Sequence, residues 1–268
     1  MKNTALDGAY SKIDRAVDHF NKIDIAIGEM FLAEKDTGTA GHEFKANSQE
    51  LVVSLAEQAP LDPTLPLMVG DCVHNARSVL DHLVYQLALL NKSPKEAAAK
   101  TSFPICLTPK EFKNATKGKI APFVSKTAFT EIERLQPYKT GDNEKDVLWI
   151  LSQLDIIDKH RLLIVAETQA RPTAFKITTP DGRALFAHDT PNSPWKPSKV
   201  GAEVIRFSFS GSVPSPTEMK VEVRTAKTVQ IQQTGLVCDG MILLEVLRDC
   251  VNYTGMTLNH FGQLFFDN

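Results

Sequence analysis

The stretch that decides the fold is Gly70–Leu87, GDCVHNARSVLDHLVYQL. At about 100° per residue on a helix, Cys72, Ala76, Val79, Leu80, Leu83 and Leu87 fall on one side, with Val73 and Val84 at its border. Asp71, His74, Asn75, Arg77, Ser78, Asp81 and His82 fall on the other. A solvated helix face is ordinarily rich in Lys and Glu, yet neither occurs between 70 and 90. The side chains present are short or planar and make directional hydrogen bonds, which suits a face sealed against protein or lining a cleft. The helix that carries this stripe is predicted from about 66 to 91.

Working outward, three further segments have helical period. Ile13, Ala16, Val17, Phe20, Ile23, Ile27 and Phe31 recur at steps of three and four and predict a helix over 5–34. Val147, Ile150, Leu151, Leu154, Ile157 and Leu162 predict another over 142–165, and a last long one is expected over 234–265. Shorter helices are expected at 109–116 and 126–136. Strands are expected at 43–46 and 50–56, separated by Asn47-Ser48-Gln49, and at 174–179, 184–187, 204–210 and 218–224. Pro180-Asp181-Gly182 supplies a turn between two of them. Helices and strands are segregated rather than alternating, so the expected class is α+β: a bundle of about four long helices with a small antiparallel sheet. The chain is read as a single domain over 1–268, with its β-rich part at 170–226.

The bulk properties narrow the function classes. A 43% hydrophobic and 23% charged chain of 268 residues has the composition of an ordinary globular protein. A net charge of −2 argues against wrapping duplex nucleic acid by charge alone, although a local basic run exists at Lys110, Lys113, Lys117, Lys119 and Lys126 against Glu111. That run reads as a solvated face, which a ribonuclease could use to hold phosphates. Cys72, Cys106, Cys238 and Cys250 form no C-x-x-C pair, which argues against a zinc knuckle or a disulfide framework. The N-terminal stretch has no continuous apolar segment of the signal-peptide kind, and Met241–Leu247 is interrupted by Glu245. The expectation is a cytoplasmic protein without a membrane partner. Neither a P-loop nor a G-x-G-x-x-G occurs, and no cofactor is expected.

A second polar cluster lies at Asp155, Asp158, Lys159, His160 and Arg161. Asp155 and Asp158 share a helix face at i,i+3, and Asp158 is the expected partner of Arg77 or His82 if the two helices are neighbours. Within the first cluster Arg77 and Asp81 are i,i+4 neighbours, as are Asp71 and Asn75, while His74, Ser78 and His82 follow one line. His74 and His82 are separated by roughly 12 Å of helix rise, too far to share one metal on a regular helix. His42, His188 and His260 have no partner evident in sequence.

The string Gly70-Asp-Cys-Val-His-Asn-Ala-Arg-Ser-Val-Leu-Asp-His82, with Leu-Asp-Ile-Ile-Asp-Lys-His-Arg at 154–161, resembles an uncharacterised bacterial family with a GD-x-x-HN-x-RS-x-LDH helix and a downstream DKHR. The similarity spans about residues 65–165 and brings no assigned activity. A looser resemblance is to the HEPN superfamily of helical-bundle ribonucleases, whose arginine is followed after four to six residues by a histidine; Arg77-Ser-Val-Leu-Asp-His82 matches. That resemblance implies metal-independent RNA cleavage of the toxin or phage-defence type. His82 would be the general base and Arg77 would stabilise the phosphate charge, with a homodimer and an antitoxin as partners. Asp71, His74, Asn75, Ser78, Asp81, Asp158, Lys159, His160 and Arg161 would support the pair. Two other readings stand beside it. The stripe is a buried hydrogen-bond network or ligand-binding face in a non-enzymatic protein, or Asp71 and His74 hold a metal with Asp155 or Asp158.

Overall fold

A computed structural model describes residues 4–33, 40–45, 50–55, 61–98, 101–160, 165–178, 184–188, 203–208, 220–232 and 235–267. The described residues are mostly helical. The chain divides into two compact units: residues 1–25, 63–166 and 231–268 form one, and 26–62 with 167–230 form the other. The β-rich part expected within a single domain therefore lies in a compact unit of its own.

In the first unit α1 (Asp7–Ala33, which continues into the second), α2 (Leu65–Leu89), α6 (Val147–His160) and α7 (Leu243–Phe265) are the long helices. Between them come α3 (Pro94–Ala98), α4 (Pro109–Thr116) and α5 (Lys126–Arg134). Helix α2 packs against both α6 and α7, and α6 against α7. Helix α1 joins them: the Cys72 thiol donates to the Ala16 carbonyl at 3.4 Å, and Tyr10 donates to Asn259 at 3.1 Å. The apolar side read from the sequence is the side buried, with Cys72, Val79, Leu80, Leu83 and Val84 fully covered alongside Leu148, Leu151, Leu154, Leu247 and Leu258.

Local chemistry sets most helix limits. Thr108 caps α4 by accepting from the Glu111 amide, with Pro109 in the first turn. Ser125 caps α5 by accepting from the Ala128 amide. Two long helices are shorter than expected. Helix α6 begins at Val147 rather than 142, because Asp146 accepts from the Leu148 amide at 2.9 Å and fixes the start there. Its expected extension to 165 is overturned: α6 ends at His160 and a strand begins at Val165. Helix α7 begins at Leu243 rather than 234, since Gly235 and Gly240 adopt φ of 90° and 81°, incompatible with a right-handed helix.

In the second unit β1 (Ala40–Lys45), β2 (Glu50–Leu55) and β5 (Glu203–Ser208) form one three-stranded sheet, while β4 (Ala184–His188), β3 (Val165–Thr178) and β6 (Lys220–Gln232) form another. The pairs β1–β2, β2–β5 and β3–β4 are antiparallel, with a register shift at Val53/Ser54. Two sheets thus stand where one was expected. The turn expected at Asn47-Ser48-Gln49, the one at Pro180-Asp181-Gly182, and Arg161 lie outside the described residues. Among the described residues, no helix is long and apolar enough to cross a membrane.

Candidate functional site

The two polar clusters meet. Gly70 of α2 has no side chain, and α6 lies so close there that a Cβ would overlap the Asp158 carboxylate, meeting its Cγ at 2.7 Å. That contact sets the offset of the helices. It places Asp155, five residues before the end of α6, beside His74 one turn along α2.

His74 Nδ1 lies 3.1 Å from Asp155 Oδ1. The Lys159 ammonium donates to Oδ2 of the same carboxylate at 2.6 Å. Asp155 is buried, with 4% of its side chain exposed, whereas His74 is 48% exposed. An acceptor-only carboxylate requires the proton on Nδ1, which leaves Nε2 as the basic, outward nitrogen. A buried carboxylate orienting an accessible imidazole is the geometry of a general base.

Asp158 was expected beside Arg77 or His82; instead it sits against Gly70 among Asp155, Asp71, His74 and Lys159. Burial, followed by the neighbouring Asp155 charge, pushes its carboxyl above the ordinary carboxylate range. Asp71 is exposed, and its backbone carbonyl accepts from Asn75 Nδ2 at 2.7 Å. Asn75 Oδ1 in turn accepts from Lys12 of α1 at 3.3 Å. His160 is exposed at the end of α6.

The second half of the stripe has another role. Arg77 donates to Asp81 Oδ1 at 2.7 Å and to the Phe103 carbonyl at 2.9 Å, and the Phe103 amide donates back to Asp81 at 2.8 Å. This ring pins Phe103, the first residue of the 103–107 segment, to α2. Buried Gln136 holds the same segment from the opposite side, accepting from the Cys106 amide and donating to the Pro104 and Ile132 carbonyls. Asn143 donates to the Leu107 carbonyl. Arg77, 14% exposed, is thus committed to a strap over the helix. His82 turns toward α1, where a Cβ on Gly8 would lie 3.5 Å from its Nδ1. Ser78 is half-buried and, like His82, has no hydrogen-bond partner among the described residues.

Sequence reasoning missed three features. His19 of α1 is buried with Nδ1 unpartnered, and desolvation lowers its pKa against the opposing pull of Asp71. His260, expected to be without a partner, lies 3.1 Å from Glu131, which also pairs with Arg134 at 3.0 Å. The strap at 103–107 carried no periodic signal. Among the described residues no three His, Cys, Asp or Glu side chains are placed to hold one metal ion. All four cysteines are free and buried. Burial pushes the Cys72 thiol up to about 12 and that of Cys238 to about 11, far from the thiolate a nucleophile needs. No protein-family model, curated protein or solved structure matches the chain.

Proposed function

We propose that the chain is a metal-independent endoribonuclease of the toxin or phage-defence type in which His74, rather than the His82 that the HEPN resemblance implies, is the general base. The observation that carries this reading is the contact between exposed His74 and buried Asp155. His74 Nε2 accepts the proton of an RNA 2′-hydroxyl, and the 2′-oxygen attacks the adjacent phosphorus. The bond to the 5′-oxygen breaks, and that oxygen takes a proton from Asp158, whose raised pKa favours the acid form. The products are a 2′,3′-cyclic phosphate and a 5′-hydroxyl. This reading assigns Lys159, which shares Asp155 with the base, to the developing phosphate charge. The same reading takes α1, α2, α6 and α7 as a helical bundle of four long helices, in a chain that also carries the two small sheets. It describes a cytoplasmic protein with RNA as substrate, a homodimeric state and an antitoxin partner.

The test is cleavage of single-stranded RNA in EDTA by wild type and His74→Gln, with the cyclic-phosphate end identified in the products. Loss of a general base lowers the rate roughly 10²- to 10⁴-fold. Absence of cleavage by the wild type, or an equal rate in the variant, overturns the reading.

The Arg77 ring favours a second reading for the other half of the stripe: a non-enzymatic network that holds a strap onto α2. In this reading Arg77 and Asp81 stabilise the fold and contact no substrate.

A further inference from the structure

Asp71 and Asp155 lie beside His74 with Asp158, and the Lys159 ammonium there is already paired with Asp155, so the site itself supplies little attraction for a polyanion. An RNA cleaved there has to be held by cations from elsewhere in the chain. Lys110, Lys113, Lys117, Lys119 and Lys126 are all exposed, and none forms an ion pair among the described residues. Their one acidic neighbour in sequence, Glu111, is turned back to accept from the Leu107 amide at 3.0 Å. Five lysines and one glutamate give residues 108–126 a net charge of +4 in a chain of net −2, which leaves −6 for the rest.

The five lie on α4, its C-cap, the connection to α5 and the first residue of α5. Lys110 and Lys113 share one line of α4 at i and i+3, and Lys117 is the extended C-cap residue that follows it. Gly118, at φ of 72°, reverses the chain after α4, so that Lys119 and Lys126 flank the connection to α5. Contact between the Phe112 and Phe129 rings, 5.4 Å between centroids, holds α4 to α5. The strap pinned by Arg77 and Gln136 runs directly into α4, fixing the basic hairpin to the helix that bears His74.

We infer that the α4–α5 hairpin is an electrostatic docking surface for the phosphate backbone of single-stranded RNA, an inference that rests on RNA being the substrate. The composition decides against a membrane surface and against base reading. Membrane-surface helices bury exposed apolar side chains, but the apolar face of α4 is closed by Phe112, and no exposed large hydrophobic residue lies within 108–126. Lysines act as point charges on phosphates, and residues 108–126 contain no arginine to read guanine edges, while Arg134 at the far end of α5 is paired with Glu131. The aromatic rings are buried or half-buried rather than offered for stacking. Binding is therefore independent of sequence and steeply dependent on salt.

The experiment uses the full chain carrying His74→Gln, a fluorescent mixed-sequence single-stranded RNA, and anisotropy between 50 and 200 mM salt. Five phosphate contacts predict a log–log slope of about −3.5, and about −1.4 once Lys113→Gln, Lys117→Gln and Lys119→Gln are added. Over that salt range affinity falls about 130-fold in the first protein and about 7-fold in the second. An unchanged slope, no RNA binding at 50 mM salt, or binding to phosphatidylserine vesicles in place of RNA overturns the inference. The two proposals fail separately. Salt-dependent binding without wild-type cleavage removes the acid–base reading and leaves the docking surface. Cleavage at wild-type rate and salt dependence by the triple lysine variant removes the docking surface and leaves the chemistry.

Discussion

Replacing Arg77 with Ala separates a strut from a catalytic cation. The substitution removes a charged donor from the Phe103 carbonyl and leaves that carbonyl, in a residue 2% exposed, without its side-chain partner. A hydrogen bond from an ionised group contributes about 1.5–3 kcal/mol. The Asp81 pair adds little, because that carboxylate is 40% exposed and i,i+4 pairs contribute only about 0.3–0.5 kcal/mol. Asp81 also keeps its bond from the Phe103 amide. The expected loss is about 2–3 kcal/mol, or roughly 4–6 °C in Tm at this chain length. Arg77→Lys, which cannot reach both acceptors with one planar fork, falls between Ala and wild type. Denaturant melts followed by circular dichroism provide the measurement. Stability within about 0.5 kcal/mol of wild type, the usual range of a free surface residue, refutes the strut. It would return the guanidinium to the phosphate role that the HEPN resemblance implies.

Two further predictions address the packing of α1, α2 and α6. Gly70→Ala gains about 1 kcal/mol of helix propensity but forces the Asp158 carboxylate aside, so the net effect in wild type is a loss of up to about 1 kcal/mol. In an Asp158→Ala background the same substitution stabilises by about 1 kcal/mol, and a gain of that size in wild type would mean that Asp158 is not seated on α2. His19 is held below its ordinary value of 6.5 mainly by desolvation, so the unfolded chain binds its proton more readily. Its contribution to stability is complete above pH 6.5 and is lost as pH falls through the folded value. His19→Leu should flatten the difference between melts at pH 5 and pH 7; an unchanged difference assigns the acid sensitivity to other groups.

The sequence announced α2 because its two faces differ in kind as well as polarity, and every residue assigned to the apolar side is buried. Helix α4, expected at 109–116, runs from Pro109 to Thr116, with Thr108 and Pro109 fixing its start. The end of α6 was not, because the apolar run Leu162–Val165 fits a helix or a strand equally well. Gly235 and Gly240 were visible stop signals that the apolar pattern after them obscured. Of the partners of Arg77, Asp81 at i+4 was readable and is observed, whereas the Phe103 carbonyl was not. Periodicity gives the face of a helix but not its axial offset against a neighbour, and here the offset is set by Gly70 accepting Asp158. One turn of difference moves the carboxylates from Arg77 to His74. The strap that takes Arg77 instead is irregular chain, held by side chains 22 to 36 residues distant in sequence.

The acid–base reading depends most on which nitrogen of His74 carries the proton. A long-range proton–nitrogen correlation spectrum of the imidazoles at pH 8, with His74→Gln for assignment, reads that directly. The account predicts a neutral His74 protonated on Nδ1, with the unprotonated Nε2 shift of a ring held by Asp155, and loss of that preference in Asp155→Asn. A His74 protonated on Nε2, or an averaged ring unchanged by Asp155→Asn, would contradict it.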